Sequence, residues 1–230
     1  SSATSDGGYS GAGIGGGDSG NGRDITISGG TVIATSSVIG EEGYSGAGIG
    51  GGDSGNGSNI TISGGTVTAI ASASGYSGEG IGNGSRNTDE SIITVTGGNI
   101  KTNSSGEISD ANGNKAYPTR VDLLPLFGKN ALIGNVSVQT YNTETGKTEN
   151  KEYNLKDTYT LGGYLYMYLP VNDKNTVTRL VFENTVYEAT VGARAYNGSE
   201  YNDFTLKSST DGKAEYGDVL REDMPEDGII

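Results

Sequence analysis

The sequence predicts an all-β chain in which a short parallel β-helix precedes a small antiparallel β-sandwich-like domain. Three observations carry that expectation. A Gly-rich unit recurs at a near-constant period through the first half of the chain. Inside each unit Ile, Val and Thr alternate with a period of two. Past residue 116, candidate strands succeed one another at about ten-residue spacing, separated by turn residues.

Residues 9–22 read Tyr-Ser-Gly-Ala-Gly-Ile-Gly-Gly-Gly-Asp-Ser-Gly-Asn-Gly, and Ile-Thr-Ile-Ser-Gly-Gly-Thr-Val follows at 25–32. The unit returns from Tyr44, 35 residues on, and in a worn form from Tyr76, 32 residues after that. Periods of about 20–50 residues mark solenoids, propellers or arrays. Ile25 and Ile27 point to one side of a strand while Thr26 and Ser28 point to the other. One unit cannot bury such a face by itself. Stacked copies can, which would align Ile25 with Ile60 and Ile93, and Ile14 with Ile49 and Ile81. Three units are too few for a propeller, which needs about 4–8 blades. No stretch carries an apolar stripe at helical spacing, so helix is not expected. The Gly11-Ala-Gly-Ile-Gly-Gly-Gly17 run suits a corner where backbones approach closely and φ is positive.

These motifs resemble the Gly-rich repeats, with "GAGIGGG" and "ITISGGTV" cores, of cell-surface proteins from Gram-positive anaerobes. Some members of that group are labelled carbohydrate-binding. The resemblance implies an extracellular, right-handed β-helix, and it covers the repeats only.

The expected organisation is a repeat domain over 1–116, a small β-sandwich-like domain over 117–193, and an acidic tail or linker over 194–230. In the middle part strands are expected at 120–124, 135–141, 151–155, 164–169, 176–182 and 185–190, with hairpin loops at 142–150 and 171–175. Gly163-Tyr-Leu-Tyr-Met-Tyr-Leu-Pro170 resembles a "GxLYxYLP" strand of small β-domains found after such repeats. That likeness implies no chemistry.

Composition narrows the function. The chain of 230 residues has no His, Cys or Trp and a net charge of −13. Without His or Cys, the usual transition-metal sites and nucleophile–base pairs cannot be assembled. The acidic balance argues against nucleic acid and anionic membranes. No apolar run approaches the roughly 20 residues of a membrane helix. The sequence lacks an initiator Met and a signal peptide, which reads as a mature protein or excised fragment with further domains of the same polypeptide. No enzyme is expected either: the repeats hold few basic residues (Arg23, Arg86 and Lys101), and none recurs beside an acidic cluster.

Two kinds of candidate site remain. Asp18, Asn21, Asp53 and Asn56, in the paired Asp-Ser-Gly-Asn-Gly loops, offer oxygens that Ca²⁺ would accept, although the third copy has Ser85 in place of Asp. The same residues are also ordinary turn formers. Tyr9, Tyr44 and Tyr76 should stack at one edge of the repeats, either as a sugar platform or as a corner cap. Tyr164, Tyr166 and Tyr168 share one strand face, with Leu165, Met167 and Leu169 on the other. If the aliphatic face is core, the three Tyr form a partly exposed patch, for a ligand or for contact with the repeats. Together these features suggest an extracellular adhesin that binds a glycan or host-surface ligand. A purely structural spacer is the alternative, and a polysaccharide lyase-like enzyme is a third, less favoured reading.

Overall fold

The computed structural model describes residues 2–6, 8–194 and 200–209. Among the described residues the chain is all-β apart from one short helix, with parallel sheets in its first half and a separate, largely antiparallel set after them. The first half contributes β1 (Ser2–Asp6), β2 (Ile14–Gly15), β3 (Gly22–Ile27), β4 (Thr31–Ile39), β5 (Ile49–Gly50), β6 (Gly57–Ala73), β7 (Ile81–Gly82), β8 (Ile93–Thr102) and β9 (Ile108–Ser109). In the larger parallel sheet β1, β4, β6, β8 and β9 lie side by side, and β3 joins along β6. The smaller parallel sheet is β2-β5-β7.

The registers are those that the repeat offsets predict. Ile25 pairs with Ile60 and Ile60 with Ile93, Val32 with Val67 and Val67 with Ile100, Ile14 with Ile49 and Ile49 with Ile81. Like residues therefore stack inward, and Ile49, Ile60, Ile62, Val67, Ile81 and Ile93 are almost wholly buried. Gly50 shows why the motif is glycine-rich. Its φ is +136°, and a Cβ there would lie 2.0 Å from the carbonyl oxygen of Gly82 on the next rung. Neither feature tolerates a side chain.

The third copy is closed by an acid that the others lack. In the first two copies the N–H groups of Gly16 and Gly51 donate to the carbonyls of Gly50 and Gly82 on the following rung. The equivalent N–H of Asn83 donates instead to Oε2 of Glu79, at 2.6 Å. Glu79 stands where the first two copies have Ala12 and Ala47. Ser91 Oγ donates to the same oxygen at 3.1 Å. Burial pushes the Glu79 carboxyl above its ordinary range, and hydrogen bonds from Asn83, Ser91 and Gly106 oppose the shift.

The second half adds β10 (Ala116–Asp122), helix α1 (Leu124–Phe127), β11 (Ser137–Asn142), β12 (Thr148–Asn150), β13 (Tyr164–Pro170), β14 (Thr176–Phe182), β15 (Thr185–Ala189), β16 (Asn202–Asp203) and β17 (Thr205–Ser209). These form one sheet ordered β13-β10-β16 and another ordered β12-β11-β14-β15-β17. Val121, Leu165, Met167 and Leu169 of the first share a core with Val138, Leu180, Phe182 and Tyr187 of the second.

Several expectations change here. Residues 151–155 are not a strand of this group: the chain leaves the sheet after Asn150 and docks Asn154 beside Gly97 of the repeats. Residues 171–175 join strands of two different sheets rather than closing a hairpin. Helix α1, with Pro125 in its first turn, was not expected. Part of the presumed tail is strand, since β17 pairs antiparallel with β15. Residues 195–199 and 210–230 lie outside the described residues.

Candidate functional site

The three repeat tyrosines form a ladder. Tyr9 bridges Tyr44 and Tyr44 bridges Tyr76 in parallel register. Their ring centroids are 5.6 and 5.4 Å apart, with interplanar angles of 32° and 18°. The spacing follows from the stacked backbones, because rungs of a parallel sheet lie about 4.8 Å apart and tilted rings span slightly more. The faces between rings are thus closed. What the ladder presents outward is ring edge, hydroxyl and the terminal rings, Tyr9 being 48% and Tyr76 64% exposed.

Arg86 ties this ladder to the aspartates. Its guanidinium carbon lies 4.3 Å from the Tyr9 centroid and 5.2 Å from that of Tyr44, a cation–π arrangement. Nε of the same side chain donates to Asp53 Oδ2 at 2.7 Å, and a terminal nitrogen pairs with that oxygen as well. Asp53 is fully buried, whereas Asp18, one rung earlier, is exposed. Burial, then hydrogen bonding with and repulsion from Asp53, push the Asp18 carboxyl up, and Arg86 opposes them. Two sets of residues that look unrelated in sequence therefore meet on one edge.

Asn21 and Asn56 do not join them. Asn21 Oδ1 accepts the backbone N–H of Asn56 at 2.8 Å, and Asn56 Nδ2 donates to the carbonyl of Glu90 at 3.2 Å. Their side chains cap backbone groups between rungs. Among the described residues no three acidic side chains gather as a metal cluster.

The second tyrosine set differs from expectation. Tyr166 and Tyr168 are buried, at 8% and 4% exposure, and only Tyr164 is partly open. The aliphatic face of β13 does pack into the core of the second half. Its Tyr face turns toward the repeats, where Tyr168 joins the repeat core. Burial raises the hydroxyl pKa of Tyr168 and of its neighbour Tyr153. A smaller aromatic group persists at the rim: Arg120 lies 5.4 Å from the Tyr164 ring and 5.0 Å from that of Tyr201, and pairs with Asp203.

Asn99 is the residue at this junction that the sequence did not reveal. It is fully buried on β8 and meets the free edge of β13. Its Nδ2 donates to the carbonyls of Tyr159 and Tyr164 at 2.7 and 2.8 Å, and its Oδ1 accepts the N–H of Tyr166 at 2.8 Å. The side-chain amide serves as one more strand residue. Asn154 reciprocates, donating from Nδ2 to the carbonyl of Ser63 at 2.9 Å. Gly97 admits this contact, since a Cβ there would lie 2.4 Å from the Asn154 carbonyl oxygen. Two cavities of about 430 Å³ also flank the junction, one lined in part by Lys151, Asp110 and Tyr153 and the other by Glu107, Lys115 and Arg194.

No protein-family model matches this chain, and no curated protein or solved structure is detectably similar to it.

Proposed function

We propose that the chain is a non-catalytic, extracellular surface module that binds neutral glycans through the tyrosine ladder. In this reading the parallel sheets are coils of a short right-handed β-helix, and the second half is a β-sandwich-like domain packed on its side. The observation that carries the proposal is the row Tyr9–Tyr44–Tyr76 with both end rings exposed and Arg86 alongside. Aromatic surface beside hydroxyl and guanidinium donors suits a sugar, whose C–H faces meet the rings and whose hydroxyls need partners. A net charge of −13 disfavours acidic glycans, so the ligand class is neutral. The resemblance of the repeats to those of Gram-positive cell-surface proteins supports the extracellular setting and an adhesive role. Screening the protein against neutral and acidic glycans, and against insoluble polysaccharides, tests the proposal. Selective binding to neutral sugars that fails in Tyr76→Ala supports it, whereas binding that survives the substitution refutes the assignment.

One observation favours a second reading, a rigid spacer. Tyr166, Tyr168 and the buried amide of Asn99 are all spent on joining the two halves. A wild-type protein that is folded and binds no glycan in the screen would favour that reading.

A further inference from the structure

Asp18, Asp53 and Ser85 hold the same position in the three successive repeats, following Gly17, Gly52 and Gly84. Parallel register therefore stacks them as a column, with neighbours about 4.8 Å apart. Stacked carboxylates repel, and the third copy departs from the pattern by placing Ser at the aspartate position and Arg at the next. Arg86 reaches back and neutralises one carboxylate, which leaves the column with a net charge of −1.

The hydrogen bonding of Asp53 is incomplete in a way that Arg86 does not repair. Oδ2 takes both guanidinium contacts and also accepts from Ser54 Oγ at 3.1 Å. Oδ1 is buried with no partner, on a residue with no solvent exposure. On the rung above, Ser85 Oγ is likewise buried and unpartnered. On the rung below, the Asp18 carboxyl is open to solvent and feels the charge of Asp53. A buried carboxylate oxygen without a donor costs several kcal/mol in general, and native proteins rarely leave one so. Among the described residues no donor hydrogen-bonds to Oδ1.

We propose that the Asp18–Asp53–Ser85 column is a site for a hard divalent cation of the Ca²⁺ class, held by Asp53 Oδ1, the Asp18 carboxylate and Ser85 Oγ, with water completing the shell. Oxygen-only ligands select Ca²⁺ over softer metals, and six to eight are normally used, so a site with about three protein ligands binds weakly. The ligand set differs from the Asp18, Asn21, Asp53 and Asn56 set expected from sequence, because both asparagines are committed to backbone groups. The site would brace the ladder edge through Arg86, but it stands independently of glycan binding.

Tyrosine-sensitised terbium emission tests this directly. The chain has 14 Tyr and no Trp, and Tyr9 and Tyr44 flank the site through Arg86. Titrating Tb³⁺ into the intact protein should give saturable emission at one equivalent, displaced by Ca²⁺. Asp18→Asn, at an exposed position that does not threaten folding, should weaken Tb³⁺ binding at least tenfold. Ser85→Ala should weaken it severalfold, and Arg86→Gln should strengthen it by removing a competing positive charge. Glu41→Gln, in an exposed turn of the same repeats, should change nothing. Emission that does not saturate, or that Asp18→Asn and Glu41→Gln affect alike, would show only general attraction to an acidic surface and would overturn the proposal. Absence of emission would overturn it too.

Discussion

The substitution Asn99→Ala probes how the two halves are held together. In the native chain the Asn99 amide makes three hydrogen bonds near 2.8 Å, two to the edge of β13 at Tyr164 and Tyr166 and one to the carbonyl of Tyr159 in the segment before it, the bond from Tyr166 being fully buried. Alanine removes them without disturbing the strand that carries the residue. The carbonyls of Tyr159 and Tyr164 keep other donors, Thr66 Oγ1 at 3.4 Å and the N–H of Leu161 at 2.9 Å. Losing the two Nδ2 bonds therefore costs about 1 kcal/mol each. The Tyr166 N–H is left unpaired at a buried edge, which adds about 1–3 kcal/mol. The sum is about 3–5 kcal/mol, a large part of the roughly 5–15 kcal/mol that holds a domain folded. Urea unfolding followed by tyrosine fluorescence and far-UV circular dichroism measures it. The expected result is a lower midpoint, with the two probes no longer superimposing as the halves uncouple. A loss below about 1 kcal/mol, with one unchanged transition, would refute the reasoning, because a buried amide with three such bonds cannot be dispensable.

Other perturbations test the remaining parts. Gly50→Ala places a Cβ against the Gly82 carbonyl at a φ of +136°, so it should cost at least about 3 kcal/mol or prevent folding, while Gly30→Ala, with open space around it at a φ of +78°, should cost only about 1–2 kcal/mol in the same urea assay. Glu79→Ala should destabilise the last repeat by about 1–3 kcal/mol by orphaning the Asn83 N–H, seen as faster exchange of amides in β7 and β8. Because the Glu79 carboxyl is raised above its ordinary value of 4.5, the folded chain holds this proton more tightly than the unfolded chain does. Its contribution is therefore full below pH 4.5 and is lost as pH rises through the folded value; wild type should show this slope and Glu79→Ala should lack it. Burial lowers the Lys151 pKa, against the attraction of Asp110, and no ion pair offsets it among the described residues. Lys151→Met should consequently raise the urea midpoint at neutral pH, and a lowered midpoint would mean that the ammonium has a partner.

The repeat was readable because its physics is local and periodic. Matching Ile14 to Ile49 and Ile25 to Ile60 by offset is enough to fix the parallel registers, since only that alignment stacks like on like. The junction was not readable, because it depends on distant segments meeting. Residues 151–155 carry the alternation of a strand, Tyr153 and Leu155 being apolar, yet they serve as a docking segment between two cores. The tyrosine face of β13 was open to two readings for the same reason: nothing in Gly163-Tyr-Leu-Tyr-Met-Tyr says what lies opposite. A usable signal did exist in the departures of the third copy from the other two. Asn99 stands where Thr31 and Thr66 stood, Glu79 replaces Ala, Ser85 replaces Asp, and Arg86 replaces Ser. Each change falls where the surroundings of the parallel sheets change: at the junction, at the closing rung, and beside the ladder. In a repeat, a departure from the pattern is the local trace of a non-local contact.

Calorimetric titration of the best neutral oligosaccharide from the glycan screen into wild type, Tyr76→Ala and Tyr166→Phe tests whether the tyrosine ladder binds sugar. The two residues separate the exposed ladder from the buried strand face. Loss of a stacking ring should cost at least about 1.4 kcal/mol, or tenfold in Kd, in Tyr76→Ala. Tyr166→Phe should leave Kd unchanged. Equal affinity in wild type and Tyr76→Ala, or a loss confined to Tyr166→Phe, would contradict the account and move the binding site away from the ladder.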